Sequence, residues 1–269
     1  MTSRADLTEL LQVALRAMDI AVATMTRSRP ARVIAKGHRD MVSDIDLAVQ
    51  DAVSEFLAEE TPNIAFVSEE RQRDESELPG AAWTLDPIDG TANFLRDIPL
   101  CGISLALIED SQPMLGVIDL PYLSTRYQAL HDHGAHVGSR RLHVSDVTEL
   151  SSAIVALGDY RVDPAEEYKN QLQFRLAEHL AHTTLRVRML GSAAADLAWL
   201  ADGHVDISIT LLNNSWDMAA GVVIAREAGA IVMDLDGKPY SSESAATLAT
   251  TPHLRRALLD LVASTRADA

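Results

Sequence analysis

The spacing of apolar residues predicts two helices and six strands in the first 145 residues. Apolar side chains recur every three or four positions in both helices, and short apolar runs mark the strands. The helices are predicted at residues 6–27 and 45–60, and Ser43 or Asp44 caps the second one. The strands are predicted at residues 33–35, 64–67, 82–85, 101–108, 114–118 and 125–130. A polar stretch at 71–80 predicts a loop.

After residue 144 the pattern changes to an alternation of strands and helices. Strands are predicted at residues 153–157, 185–190, 205–209, 231–235 and 247–249. Helices are predicted at residues 164–181, 193–201, 218–228 and 252–264, and Gly203 and Gly229 stand where helix-ending glycines are common. The predicted fold class is therefore an α+β part over residues 1–144, followed by an α/β part over residues 145–269.

Charge and cysteine content narrow the classes of function. The 269-residue chain carries a net charge of −16, which disfavours nucleic acid and anionic membranes as partners. The same charge fits a protein that collects divalent cations, and it equally fits an acidic surface that only confers solubility. The one cysteine, Cys101, excludes an internal disulfide and lies in an apolar run, which predicts a buried residue in a reducing compartment. We find neither a signal-peptide pattern nor an apolar run of bilayer length, so a cytoplasmic location is expected.

The stretch at residues 83–94 holds the first candidate chemistry. Apolar residues lead into Asp86, and Asp89 follows three positions later with Pro87 between them to stiffen the backbone. Gly90 and Thr91 then allow a tight turn and a helix start. Such an arrangement can hold cations and a phosphate together. It is also what an ordinary acidic surface turn contains, and taken alone the two interpretations are about even.

Other acidic residues share this setting. Glu69 follows a predicted strand, and Asp217 begins a predicted helix. Asp46 lies in the first turn of a helix, where acids favour the helix dipole, so its own surroundings favour capping over catalysis. Ligands that are all oxygen atoms are typical of Mg²⁺, Mn²⁺ or Ca²⁺. A His-x-His-x-x-His run at 131–136 allows a transition-metal site, but an exposed hairpin turn is the favoured interpretation.

These stretches together resemble the inositol monophosphatase family, within the lithium-sensitive, magnesium-dependent phosphatase superfamily. Residues 83–94 are similar to its metal-binding signature, and residues 216–221 with 227–229 are similar to its second signature. Three shorter blocks match in the same order, at residues 40–46, 68–70 and 191–193. The resemblance covers essentially the whole chain. It implies a layered αβαβα architecture of the sugar-phosphatase type.

The resemblance also implies a role for each matching residue. The implied metal ligands are Glu69, Asp86, the backbone carbonyl of Ile88, Asp89 and Asp217. Asp46 and Thr91 would orient and deprotonate the attacking water, and Glu69 would reach a third ion through water. Glu70 is not expected to be a ligand. The implied substrate contacts are Gly90, Thr91, Ala92, Gly191, Ser192, Ala193 and Thr210. The implied cofactor is two or three Mg²⁺ ions, with Mn²⁺ as an alternative.

The chain departs from the family pattern on the substrate side. Thr210 stands where inositol-specific members have a glutamate that contacts sugar hydroxyls, and a threonine cannot present a charged pair of acceptors. Asn213 and Asn214 are candidate polyol contacts, although asparagine is commoner as a turn residue. The Ala-rich stretch after Ser192 lacks the lysine typical of nucleotide bisphosphatases. Arg186 and Arg188 precede this turn, and one of them is a candidate to face the site.

The predicted function is therefore a Mg²⁺-dependent phosphomonoesterase acting on a small polyol or sugar phosphate, with inositol 1-phosphate first. Histidinol-phosphate phosphatase and fructose-1,6-bisphosphatase-like activities are the alternatives among enzymes. A regulatory binding protein with a retained metal site is the alternative from another class. The resemblance further implies a homodimer and inhibition by lithium.

Overall fold

A computed structural model describes residues 4–27, 29–37, 40–69, 80–160, 167–211 and 213–267. The predicted loop at 71–80, except Gly80, lies outside these ranges, and so do Glu70 and the first residues of the helix predicted at 164–181. The helices are α1 Arg4–Arg27, α2 Asp44–Glu60, α3 Thr91–Phe94, α4 Glu167–Thr183, α5 Ala193–Ala201, α6 Ser215–Glu227 and α7 Arg255–Ala267. None of the helices in these ranges is both long enough and apolar enough to cross a bilayer.

Fourteen strands are present in the described residues. Those of the first part are β1 Val33–Gly37, β2 Asp40–Ser43, β3 Ala65–Ser68, β4 Ala81–Asp89, β5 Gly102–Glu109, β6 Gln112–Leu120, β7 Thr125–Leu130, β8 Gly134–Val137 and β9 Arg140–Arg141. Those of the second part are β10 Ile154–Leu157, β11 Arg186–Arg188, β12 Ile207–Thr210, β13 Ile231–Met233 and β14 Thr247–Thr250. The strands β2, β8 and β9 were not among the predicted ones, because short strands carry too few residues to show a clear alternation.

Two sheets form the frame of the molecule. Strands β3 to β9 lie side by side in chain order in a seven-stranded sheet, in which only β3 and β4 are parallel. The five-stranded sheet has the order β11-β10-β12-β14-β13 and is mixed, because β14 runs antiparallel to both of its neighbours. The two sheets are built from residues on either side of residue 145.

Helices fill three layers around these sheets. Apolar residues of α1 and α2 pack on one face of the seven-stranded sheet, and those of α5 and α6 pack on the other. The opposite side of α5 and α6 packs on the five-stranded sheet, whose outer face is covered by α4 and α7. The order of layers is therefore αβαβα, as predicted. Because α5 and α6 contact both sheets, the division of the chain at residue 145 stays a proposal about its organisation.

One boundary prediction near the candidate site is wrong. The strand predicted to end at residue 85 continues as β4 through Asp89. Its pairing with β5 is irregular between Asp86 and Asp89. Pro87 lies within this gap and has no backbone N–H to donate, which accounts for the interruption. Both aspartates are therefore held by a sheet strand rather than by a turn.

Candidate active site

Asp86 lies at the irregular end of β4, where its side chain is almost completely buried. The carboxylate is 2% exposed, and its Oδ1 accepts a hydrogen bond from the backbone N–H of Ile88 at 3.0 Å. That hydrogen bond tightens the backbone around Pro87. Asp86 is therefore fixed in one orientation by the strand that carries it.

Asp89 bridges the two parts of the chain. Its Oδ2 accepts hydrogen bonds from the Ser192 hydroxyl and from the backbone N–H of Ala194 (2.8 Å). Its Oδ1 accepts from the N–H of Ala193 at 3.2 Å. Ser192 is the N-cap of α5, and its Oγ also accepts from Ala195 N–H. The carboxylate of Asp89 thus lies at the beginning of α5, 103 residues away from Ser192 in sequence.

Asp46 caps helix α2, as its local sequence favours, and it also faces Thr91. Its Oδ2 accepts from the backbone N–H and the hydroxyl of Ser43, which forms a capping box at the start of α2. Its Oδ1 lies 3.5 Å from the hydroxyl of Thr91. The same hydroxyl is 3.0 Å from the carbonyl oxygen of Ile88. One carboxylate oxygen therefore caps the helix, while the other faces the residue expected to handle a proton.

The carboxylates of the site repel one another strongly. Burial, followed by the charges of Glu69, Asp89, Asp217 and Asp46, raises the pKa of Asp86 well above its usual range. Burial also raises the pKa of Asp89 to about 6, against the lowering effect of the hydrogen bonds from Ser192, Ala194 and Ala193. Burial and the charge of Glu69 raise the pKa of Asp46. Among the side chains that the structure describes, which do not include those of residues 35–40, no arginine, lysine or histidine forms an ion pair with Asp46, Asp86 or Asp89.

This donor set fits a hard divalent cation. Buried carboxylates are retained only when a proton, a cation or a metal compensates them, and none of the described side chains supplies a cation to these three aspartates. The donors are oxygen atoms, which Mg²⁺ and Mn²⁺ prefer. The structure thus brings together the five predicted carboxylates, namely Asp46, Glu69, Asp86, Asp89 and Asp217.

A second group of possible metal ligands, near the histidine run, is more closely spaced than the carboxylates around Asp86. In the described part of the chain, the one set of three ligand atoms that all lie within 4.8 Å of one another belongs to His131, Asp132 and Glu227. The carboxylates around Asp86 are therefore spaced more widely than in a closed cation cage. Glu227 accepts hydrogen bonds from the backbone N–H groups of Asp132 (2.8 Å) and Gly134 (2.7 Å), so it braces this exposed hairpin turn. This bonding agrees with the favoured interpretation of the run as a turn.

The polar residues on the substrate side are mostly engaged with their own neighbours. Arg186 and Arg188 are exposed on the edge strand β11, and their guanidinium groups donate to the Leu185 and Val187 carbonyls. Asn213 donates to the Ser244 carbonyl, and its Oδ1 accepts from Thr247. Neither arginine forms a hydrogen bond or ion pair with the candidate metal ligands in the part of the chain that the structure describes, so the structure does not join them to the carboxylate cluster.

Two further side chains bear on the site in different ways. Asn214 donates to Asp217 Oδ2 at 2.9 Å and so orients a predicted metal ligand, a role that sequence reasoning missed. The sequence feature that could have indicated this contact is that Asn214 precedes Asp217 by three residues at the start of a helix. Thr210 is buried at the end of β12, and its Oγ1 has no hydrogen-bond partner among the described residues.

The αβαβα layering, with a carboxylate cluster at the end of β4, is the architecture expected of a metal-dependent phosphatase. A model of the inositol monophosphatase family matches residues 6–268. The chain belongs to the inositol monophosphatase family. Its prediction as a phosphoric monoester hydrolase is confirmed at the level of this family.

Relatives that are named for different functions match most of the chain. The inositol-1-monophosphatase ImpA of Mycolicibacterium smegmatis is 30% identical over 260 residues, which is 96% of this chain and 94% of the relative. The fructose-1,6-bisphosphatase/inositol-1-monophosphatase of Thermotoga maritima is 34% identical over 208 residues, 77% of each chain. The Nus factor SuhB of Pasteurella multocida is 28% identical over 94% of this chain and 95% of its own length.

Solved structures agree with the fold. An IMPase of Thermotoga maritima superimposes with a TM-score of 0.87 at 27% identity, covering 97% of this chain and 99% of that one. The inositol monophosphatase of Anabaena has a TM-score of 0.85 at 27% identity and covers 96% of each chain. The predicted fold class is confirmed.

Proposed function

We propose that the protein is a Mg²⁺-dependent phosphomonoesterase that hydrolyses a small polyol or sugar phosphate, with inositol 1-phosphate as the first candidate. The observation that carries this proposal is the convergence of four carboxylates on the buried Asp86. Such a cluster is unstable without cations, and a phosphate ester needs cations before water can attack it. Membership of the inositol monophosphatase family supports the same chemistry.

Each ion would be held by named residues. Glu69, Asp86 and the carbonyl of Ile88 would hold the first, and Asp86, Asp89 and Asp217 the second. Glu69 would reach a third through water, and Mn²⁺ is an alternative to Mg²⁺. When bound, such ions neutralise the phosphate and lower the pKa of bound water. The shared ligand Asp86 is the most deeply buried of the metal-binding carboxylates, which supports its place at the centre.

The proton from the attacking water would leave through Thr91 and Asp46. The Thr91 hydroxyl lies between the Ile88 carbonyl and Asp46 Oδ1, so it can accept a proton from water while passing its own to the carboxylate. The water oxygen then bonds to phosphorus, the ester P–O bond breaks, and the released alkoxide takes up a proton. The backbone N–H groups of Gly90, Thr91 and Ala92 would bind the phosphate oxygens, because the first N–H groups of a helix have no partner within it.

The leaving group would lie against residues of the second part of the chain. Gly191, Ser192, Ala193 and Thr210 are the proposed contacts. Because Arg186 and Arg188 bond to their own strand, a monophosphate is favoured over a bisphosphate. The acidic surroundings also suit a cationic leaving group, which keeps histidinol phosphate as the second candidate.

Two further alternatives rest on the names of relatives. The Thermotoga maritima relative is named for both fructose 1,6-bisphosphate and inositol 1-phosphate, which keeps a bisphosphatase-like activity among the substrates to be tested. A relative named Nus factor SuhB keeps a regulatory binding role as the alternative from another class. We further propose a cytoplasmic homodimer that lithium inhibits, on the basis of family membership.

Phosphate release from a panel of substrates tests the proposal. The panel holds inositol 1-phosphate, histidinol phosphate and fructose 1,6-bisphosphate, each with Mg²⁺, with EDTA, and with Mg²⁺ plus tens of millimolar Li⁺. We expect Mg²⁺-dependent release by the natural protein, and a rate lower by at least about 100-fold for Asp89→Asn, since a positioned charge in an active site contributes about that much.

The matched control is Asp260→Asn, which removes an exposed carboxylate that forms an ion pair with Arg256 on α7. This variant should keep the rate of the natural protein, because exposed ion pairs contribute little. If the natural protein and Asp89→Asn are equally inert on every substrate, the enzyme proposal is wrong. A rate that Li⁺ leaves unchanged rejects the lithium part alone.

A further inference from the structure

Two turns of the backbone interlock beside the candidate site. One turn carries Asp89, Gly90 and Asn93, and the other runs from Leu190 to Ala194. Hydrogen bonds from Ser192, Ala193 and Ala194 to the Asp89 carboxylate join them at one end. The interlock therefore fixes a proposed metal ligand on β4 to the start of α5.

Asn93 joins the same two turns at the other end. Its Nδ2 donates to the carbonyl oxygen of Leu100 and to the carbonyl oxygen of Leu190, both at 2.7 Å. The Leu190 carbonyl belongs to the peptide that leads into Gly191 and Ser192. One bond of the carboxamide thus holds this peptide and the other holds the Leu100 carbonyl, so Asn93 links the peptide to the first part of the chain.

The backbones approach so closely that side chains are excluded. A Cβ at Gly90, which has φ +83°, would lie 2.8 Å from the Gly191 carbonyl oxygen and 3.1 Å from that of Leu100. A Cβ at Gly191, which has φ +76°, would lie 2.9 Å from Nδ2 of Asn93. Both positions therefore require glycine. The absence of a side chain lets the Leu190–Gly191 peptide lie directly beside the Asn93 carboxamide that donates to it.

We infer that Asn93 is a positioning residue, which holds the Gly191–Ser192 turn so that Ser192 and the start of α5 orient the Asp89 carboxylate. The chain of contacts runs from the Asn93 carboxamide to the Leu190 carbonyl, and then through two peptide units to the Ser192 hydroxyl. Asn93 is not among the proposed metal ligands or substrate contacts, and it would act through Asp89. The inference rests on the proposed function, because it assumes that Asp89 is a metal ligand.

Calorimetric titration with Mg²⁺ tests the inference independently of turnover. Asn93→Ala removes both hydrogen bonds, and we expect Mg²⁺ to bind about 10-fold more weakly, the size seen when groups behind a metal ligand are removed. At saturating Mg²⁺ the kcat should recover to within about threefold of the natural value, since every proposed ligand is still present. The matched control is Asn170→Ala, which removes a buried asparagine of α4, on the outer face of the five-stranded sheet.

The outcomes separate the inference from the proposed function. A Mg²⁺ affinity of Asn93→Ala equal to that of the natural protein overturns the inference and leaves the proposed function intact. An equal loss of affinity in Asn170→Ala also overturns it, because the effect would then be one of general stability. If the natural protein binds no Mg²⁺, it is the proposed function that fails. Should Asn93→Ala show no cooperative melting, Asn93→Ser is measured against the same criteria.

Discussion

Removal of divalent cations should make the protein less stable at pH 7 than at pH 5. The cause is the buried carboxylate cluster, in which the pKa of Asp89 is raised from 3.8 to about 6 by burial. The folded state then binds more protons than the unfolded state between these two values, so the free energy of unfolding falls as pH rises through this window. Above about pH 7 Asp89 is ionised in both states and adds no further slope.

The size of the change in the free energy of unfolding follows from the shift in the pKa of Asp89. About two pKa units correspond to about 3 kcal/mol over the whole window, of which about 1 kcal/mol falls between pH 5 and pH 7. For a chain of this size, 1 kcal/mol corresponds to a change of about 2–4 °C in Tm. The pKa of Asp86 is raised in the same direction, so it increases the slope.

Mg²⁺ should reverse the loss of stability between pH 5 and pH 7. A cation present at about 100 times its Kd stabilises the folded state by about 2.7 kcal/mol, which corresponds to a rise of roughly 5–10 °C in Tm. Because protons compete for the same carboxylates, the rise should be larger at pH 7 than at pH 5.

The assay is thermal unfolding at pH 5, 6 and 7, in EDTA and in Mg²⁺. The control is Asp89→Asn, which cannot ionise at position 89 and should show a shallower pH slope in EDTA. If Asp89→Asn and the natural protein have the same slope, the pKa of Asp89 is not raised. If Mg²⁺ leaves Tm unchanged at pH 7, the carboxylates do not form a cation site.

Two further predictions concern single hydroxyl groups. Thr91→Ala should lower kcat by about 100-fold, because it removes the hydroxyl between the Ile88 carbonyl and Asp46, whereas Thr91→Ser should keep most of the activity. Steady-state rates at saturating Mg²⁺ measure this difference, and equal rates for the two variants would exclude a proton-transfer role for Thr91. Thr210→Val should leave the free energy of unfolding unchanged or raise it by up to about 1 kcal/mol, because Oγ1 of Thr210 has no hydrogen-bond partner in the described residues. If Thr210 contacts the substrate, the same variant should have a KM about fivefold higher. Urea unfolding measures the first effect and steady-state kinetics the second, and an unchanged KM removes Thr210 from the proposed contacts.

Local signals in the sequence predicted many element ends correctly. Helix α2 is capped by Ser43, one of its two predicted caps, α5 begins at Ala193 as predicted, and the left-handed glycines after α5 and α6 lie where the sequence placed them. These features depend on residues three or four positions apart, so they can be read without the fold. The end of β4 was missed, because its pairing across Pro87 depends on the neighbouring strand β5.

For the candidate site too, the sequence predicted some features and the tertiary structure decided the others. By itself, the sequence determined the family of the chain and the chemistry of the candidate ligands, since Asp86, Asp89, Asp217 and Glu69 offer the oxygen donors that Mg²⁺ prefers. Their convergence was decided by the layering of the two sheets, which brings the starts of α5 and α6 to the end of β4. Tertiary structure also showed that Asp46 uses one oxygen for capping and the other for Thr91. The physical reason is that capping and ligand chemistry belong to short segments. The hydrogen bonds that orient Asp89, and the repulsion that raises the pKa of Asp86, arise only between segments distant in sequence.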